Sequence, residues 1–312
     1  MIITYDQVKD QPKLFRAMTS IDQAEFEELL VPFGAAWKGH AAKAALPEPD
    51  RQRQPGGGRK AALQTLADKL LFILYYFKVY PLQEILGFEF GMGQAQACTW
   101  IHRLSPLLKH ALATLKQLPE RSPTKLAANL VKSGETKFLI DGTERKIQRP
   151  KDDAKQTKYY SGKKHAHTVK NDIIATLKSR QVKYLSQTYE GKKHDKKICD
   201  EEQPTLPRSS TLYQDTAFQS YAPAGVTVIQ PKKKPRGREL SDRDKQRNRR
   251  ISKVRVVVEH VIAGVKRCRI VKDILRNTKD KFDDLVMEIA CGLHNFRTTR
   301  RSKQKGAIPY FQ

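Results

Sequence analysis

Residues 251–270 join a valine-rich centre to a regular spacing of charges, and the two pull toward different secondary structures. β-Branched Val256, Val257, Val258 and Val261 suit a pleated strand. Arg255, Glu259 and Lys266, however, stand at i, i+4 and i+11, within about 40° of one another at about 100° per residue. The charge spacing predicts a helix that holds one carboxylate between two cations on one face. Val256, Val257, Val261 and Val265 are left to pack on its other sides. An i,i+4 ion pair on a solvated face is the plain reading of such a pattern. A lone carboxylate on a basic and apolar helix also suits a metal or phosphate site.

The charge balance bears on that choice. The chain of 312 residues has 59 Lys plus Arg against 33 Asp plus Glu, a net charge of +26, with dense runs at 231–253 and 296–305. Such a field favours a polyanion, and nucleic acid is the default partner. A membrane is the rival, but no apolar run approaches the roughly 18 residues that a span requires. The N-terminus lacks a basic-then-apolar signal, so a cytoplasmic, nucleoid-associated location is expected. Cys98, Cys199, Cys268 and Cys291 show no paired C-x-x-C spacing, which argues against a disulfide framework or zinc ribbon and for buried thiols. His165 with His167, and Cys291 with His294, have no second ligand pair in view.

In chain order, a capping-box spacing at Ser20 and Gln23 opens a short helix within an N-terminal segment, 1–39. Residues 40–60, rich in Pro, Gly, Arg and Gln, read as a basic flexible linker. Gly56, Gly57 and Gly58 lack the strand-turn-helix context of a phosphate loop. Leu63, Leu66, Leu70, Ile73 and Phe77 give one apolar helical face. Pro81 opens a second helix, and a glycine-rich turn leads to a third, from Gln94 to about Leu115. That helix buries Ala97, Ile101, Leu104 and Leu108 and presents Gln94, Gln96, Thr99, His102 and Arg103. The outline over 61–118 is that of a helix-turn-helix, although any small helical bundle has turns and polar faces.

A second domain, 130–301, opens with an apolar strand ending on Asp141, before the tail at 302–312. Hairpin strands follow around 166–177 and 182–188, then a polar helix near 193–203. A strand ending on Asp215 and another at 225–229 precede two helices, the last about 281–297. The predicted fold class is mixed α/β. Asp141 and Asp215 at strand ends and Glu259 on a helix could converge at a sheet edge. Three carboxylates so placed repel unless divalent cations join them. Two hard metals about 3.5–4 Å apart would activate a water or 3′-hydroxyl for phosphodiester displacement. Arg145, Lys146, Arg149, Lys163, Lys164 and the 231–253 cations suit phosphate contacts. Each aspartate taken singly is also a common turn former.

Several runs resemble one family: 140–150, 158–170, 214–221, 231–235, the Arg255, Glu259, Lys266 spacing and 291–295. Over roughly residues 51–301 the chain is similar to bacterial insertion-sequence transposases of the insertion-sequence-five group, related to the PIF/Harbinger DDE endonucleases. The resemblance implies an RNase H-like catalytic domain in which Asp141, Asp215 and Glu259 bind metal, Mg2+ with Mn2+ able to substitute, two ions per site. It implies that Arg255 and Lys266 contact the element's end and that residues 94–101 form a recognition helix, with Gln94, Gln96, Thr99 and Arg103 toward DNA. The implied partners are double-stranded DNA, as terminal inverted repeats and target, and further copies of the chain in a dimer or higher oligomer. Ser252 stands where the signature has tyrosine, and Ala217 and Ser220 where glycines commonly flank Phe218 and Gln219. A catalytically inactive DNA-binding relative and a plain metal-dependent nuclease are the alternatives. If the positive field meets phosphates, log affinity for duplex DNA falls linearly with log salt, with a slope near −0.9 per phosphate neutralised. A titration series at rising salt measures it; a flat response would assign the charge to another partner.

Overall fold

The computed structural model describes residues 2–44 and 61–306. They belong to two compact units, one from Met1–Gln117 and Arg267–Ile270, the other from Leu118–Lys266 and Val271–Gln312. The first unit is helical: α1 Tyr5–Val8, α2 Pro12–Thr19, α3 Gln23–Ala44, α4 Leu66–Val79, α5 Gln83–Glu89 and α6 Gln94–Thr114. The capping box of α3 lies two residues past the predicted one. Asp22 Oδ1 accepts from Glu25 N–H and Glu25 Oε2 from Asp22 N–H, each at 2.9 Å. Ser20 instead ends α2 in the left-handed region, φ 69°. Helix α3 continues through 40–44, the start of the predicted linker; residues 45–60, with the three glycines, lie outside the described residues.

Helix α4 begins at a capping box between Thr65 and Asp68 and is buried from Asp68 to Phe77, as a helix enclosed by others must be. Between α5 and α6 the turn is tight. A Cβ on Gly87 would lie 2.6 Å from Met92 O, and Gly91 takes φ 68°, so both positions require glycine. Ala97, Ile101, Leu104 and Leu108 are buried and Gln94, Gln96, Thr99 and Arg103 exposed, matching the predicted helix-turn-helix faces.

The second unit is mixed α/β. Its elements are α7 Leu126–Val131, β1 Lys137–Lys146, α8 Asp153–Tyr159, β2 Tyr160–Ser161, β3 Ala166–Thr176, β4 Val182–Leu185 and β5 Tyr189–Glu190. After these come α9 Asp195–Glu202, β6 Thr211–Tyr213, β7 Thr227–Ile229, α10 Asp242–Val265 and α11 Phe282–Gly306. The sheet runs β2-β3-β1-β6-β7, with β4 and β5 also on β3. β1 is antiparallel to β3 and parallel to β6, and β6 is parallel to β7. Antiparallel strands followed by parallel ones, with helices packed on them, make an RNase H-like domain.

Strand alternation sends Phe138 and Ile140 into a core with Ile174, Leu212, Leu126, Cys199 and Phe218. Leu139, Asp141, Thr143 and Arg145 face the other way. Helix α10 packs on β1 and α11, burying Ile251, Val258, Val261 and Val265. The 251–270 stretch is therefore helical, as its charges predict, but the helix starts at Asp242 and stops at Val265. A Cβ on Gly264 would meet His294 Nδ1 at 2.4 Å, which shows how closely α10 and α11 approach. The 291–295 run clamps β4: Asn295 accepts from Val182 N–H and donates to Val182 O, both at 2.8 Å, and His294 Nε2 lies 2.9 Å from Arg180 O.

Asp172 of β3 faces the first of these cores at 2% exposure, meeting the Cys199 thiol at 3.4 Å. Its Oδ1 has no hydrogen-bond partner. Burial, reinforced by Asp195, raises its carboxyl well above the ordinary range. A carboxyl raised in the folded state contributes full stability below its unfolded pKa, and that contribution is lost as pH rises toward the folded pKa. Asp172→Asn should therefore gain melting temperature relative to the parent between pH 4 and pH 7. Thermal scans across that interval check it, and a difference independent of pH would contradict the assignment.

Candidate active site

The parallel register pairs Lys137 with Thr211 and Leu139 with Tyr213, where it ends. Two residues further along come Asp141, still within β1, and Asp215, past the end of β6 and so not the end of a strand as predicted. β1 does not stop there. It continues through Gly142 to Lys146 in register with β3, so Asp141 lies mid-strand and not at the predicted strand end. Pairing to β3 sustains the strand while departure from β6 opens a notch beside Asp141.

Asp215 caps the 3-10 turn Thr216–Phe218, accepting from the Thr216 N–H and, at 3.2 Å, from its hydroxyl. Gln214 braces this turn by donating to Phe218 O at 3.0 Å and Tyr221 O at 3.1 Å. Gln230 donates to Asp215 O at 3.0 Å. Ser220 adopts φ 70°, a region that costs an L-residue about 1–2 kcal/mol.

Arg255 of α10 reaches this notch, its Nη2 3.2 Å from Asp215 Oδ2. Burial pushes the Asp141 carboxyl up to about 6; Arg255 and the Gly142 N–H oppose the rise, and Asp215 and Asp195 add to it. Asp195 escaped the sequence reading. Its carboxyl lies behind Gly142, 2.8 Å from where a Cβ would stand, and pairs with Lys170 at 2.9 Å. Only the preceding His194 and the helix it opens marked the place, and such a helix start has many uses.

Glu259 does not join the pair. It is exposed, and among the described residues no group of three His, Cys, Asp or Glu could hold a metal. The helical wheel explains this: from the buried stripe of Val258, Val261 and Val265, Arg255 is rotated about 85° and Glu259 about 125°. Arg255 is therefore paired with Asp215, not with Glu259 as the i,i+4 spacing suggested. The residues that do meet suit a hard divalent cation in donor type, being two carboxylates whose repulsion is now offset by one guanidinium.

The predicted DNA contacts divide. Arg145 is buried at 3% exposure, donating to Asp283 O at 2.7 Å and to Asn171 Oδ1 at 2.5 Å. Burial lowers its pKa to about 10, against the pull of Asp283 and Asp284. Its phosphate role is corrected to a structural one, because its strand position faces α11 and not solvent. Lys266 lies just past α10, half-buried, with Nζ 3.5 Å from Glu144 O. Burial lowers its pKa, as do Lys164 and Arg145, while Asp141 and Glu144 oppose this. Arg149, Lys163 and Lys164 are exposed, as are the four α6 residues.

Comparison with known proteins identifies the family. Residues 140–295 match the DDE superfamily endonuclease model, and residues 61–114 the helix-turn-helix of DDE superfamily endonuclease. A probable transposase for an insertion sequence element of Microchaete diplosiphon is 26% identical over 251 residues, covering 79% of this chain and 86% of that protein. The cryo-EM structure of a piggyBac transposase synaptic complex with hairpin DNA aligns with 95% of this chain and 76% of its own at 9% identity and a TM-score of 0.45. The chain belongs to the DDE superfamily endonucleases, DNA-binding nucleases that include bacterial insertion-sequence transposases and generally use divalent metal ions. Arg145→Ala strands Asn171 and the Asp283 carbonyl and should cost about 3 kcal/mol. Denaturant melts should register that loss while duplex affinity per folded molecule stays unchanged; a selective drop in affinity would restore Arg145 to the DNA surface.

Proposed function

We propose that the chain binds its element's terminal inverted repeats, cleaves the phosphodiester at the element ends and passes the freed 3′-hydroxyl to target DNA. The observation that carries this reading is the adjacency of Asp141 and Asp215 beyond the last β1–β6 pair. Asp141 and Asp215 would hold divalent cations, two Mg2+ or Mn2+ per site, and Glu259, exposed in the free protein, would become the third carboxylate only on a change in α10 when DNA is bound. Such cations lower the pKa of an attacking hydroxyl and stabilise the leaving oxygen of an in-line displacement. Asp141, pushed up to about 6, is mostly ionised at neutral pH and ready to serve as a ligand. Arg255 offsets the paired carboxylates in the free protein and, with Lys266, is suited to the scissile strand's phosphates. The Gln214 and Gln230 braces fix Asp215, so that it need not be ordered during the reaction. The α6 face would read the repeats in a major groove, from a homodimer or larger assembly in the cytoplasm. No helix of the described residues is long and apolar enough to cross a membrane.

Two features favour a second reading, a DNA-binding relative without catalysis: Glu259 faces solvent, and Ser252 stands where the resemblance implies a tyrosine. Nicking of an oligonucleotide carrying the element's end, in Mg2+ or Mn2+, separates the two. Asp141→Asn and Glu259→Gln should each reduce nicking to background while end binding stays within a few fold, and chelation should do the same to the parent. A folded Glu259→Gln protein nicking at the parental rate would remove Glu259 from the site. Absence of nicking by the parent would favour the non-catalytic reading.

A further inference from the structure

The 158–170 run contains an exposed basic and aromatic hollow that neither acid pair nor recognition helix uses. A cavity of about 620 Å3 opens between α8, β2 and the start of β3, walled by Arg149, Gln156, Tyr160, Gly162, His167 and Lys192. Tyr160 is 44% exposed, and its ring meets His167 edge-on at 5.7 Å. Arg149 is held by its Nε donating to Gln156 Oε1 at 2.9 Å. Among the described residues no carboxylate pairs with Arg149, Lys192, Lys163 or Lys164. Neighbouring lysines are neutralised: Lys193 by Glu201, Lys196 by Asp200, Lys170 by Glu144 and Asp195. Positive charge without internal partners therefore gathers around one exposed ring.

We propose that this hollow binds an unpaired nucleotide of DNA, its base stacked on Tyr160 and its phosphate on Arg149 and Lys192. A duplex backbone offers phosphates to such cations but hides its base faces, leaving an exposed tyrosine in a recess without use. An unpaired base supplies the missing π-face, and stacking of this kind tolerates any sequence. Position fits the role. Ile147 N–H donates to His167 O at 3.0 Å, and Ile147, just past β1, lies six residue steps from Asp141, about 20 Å. A strand leaving the acid pair along β1 would reach the hollow. Gly162 leaves the rim open: a Cβ there would meet nothing within 4 Å. The inference rests on the reading that the chain acts on DNA, but it concerns binding and not cleavage.

The test uses the full chain and two probes, a blunt duplex and the same duplex with an unpaired thymidine tail containing 2-aminopurine. The parent should bind the tailed probe more tightly and quench the 2-aminopurine emission. Tyr160→Ala should lose that quenching and about 5- to 100-fold in affinity for the tail, with blunt-duplex affinity unchanged. Tyr160→Phe should keep both properties. Lys192→Gln, at a side chain without structural bonds, should weaken tail binding even if Tyr160→Ala fails to fold. Equal affinity of parent and Tyr160→Ala for the tailed probe would overturn the proposal, as would equal weakening toward both probes. A parent that cleaves nothing but shows the tail preference would leave the hollow standing and the catalytic reading fallen. Binding to neither probe would overturn both.

Discussion

The ion pair between Arg255 and Asp215, set beside Asp141, is the interaction on which the candidate site depends. Two carboxylates brought into one partly enclosed notch repel, and enclosure has already driven Asp141 up to about 6. A cation among them offsets that repulsion, and in the free chain a guanidinium does so. Arg255 can reach that far because the apolar stripe of α10 seats on β1 and α11, and the stripe sets the helix's rotation. The same rotation leaves Glu259 in solvent. Packing of valines and placement of charge are thus one decision.

The notch exists because β1 has two neighbours of different length. β6 pairs with it over three residues, β3 over nine. Beyond the short pairing the backbone on one side turns aside into the 3-10 turn that carries Asp215, while the other side stays in the sheet. Gly142 matters at this point for its missing side chain, which lets Asp195 lie against the strand from the opposite face. Charge on either side of one peptide unit then bears on Asp141.

The excess of lysine and arginine is not one surface. Arg145 serves the interior, donating to a strand asparagine and a helix carbonyl. Lys193, Lys196, Lys232 and Lys234 are matched by nearby acids, and such exposed pairs contribute little to stability. What remains free for phosphates is a smaller set, including Arg149, Lys163, Lys164 and Lys192, together with the polar face of α6. Affinity for DNA therefore follows from where acids are absent more than from the total of +26.

Local rules were enough for much of this molecule. Apolar spacing marked α4 and α6, the glycine-rich turn between helices was visible, and the charge pattern at 255–266 correctly outweighed valine's strand preference. Asp141 and Asp215 stood out because each follows a short apolar run before a turn-former or polar residue. The motifs of the resemblance pointed to the family that the comparisons bear out. Other features were decided only by tertiary structure. Whether β1 ended at Asp141 or ran to Lys146 depended on pairing with β3, a partner some thirty residues away. Whether Arg145 met DNA or a helix carbonyl depended on which face of the sheet α11 covered. Asp195 reached Asp141 across a glycine that no spacing rule connects to it. Sequence carries the period of each element, but burial, rotation and the neighbour across a sheet arise from contacts distant in the chain, and these set which charged groups meet.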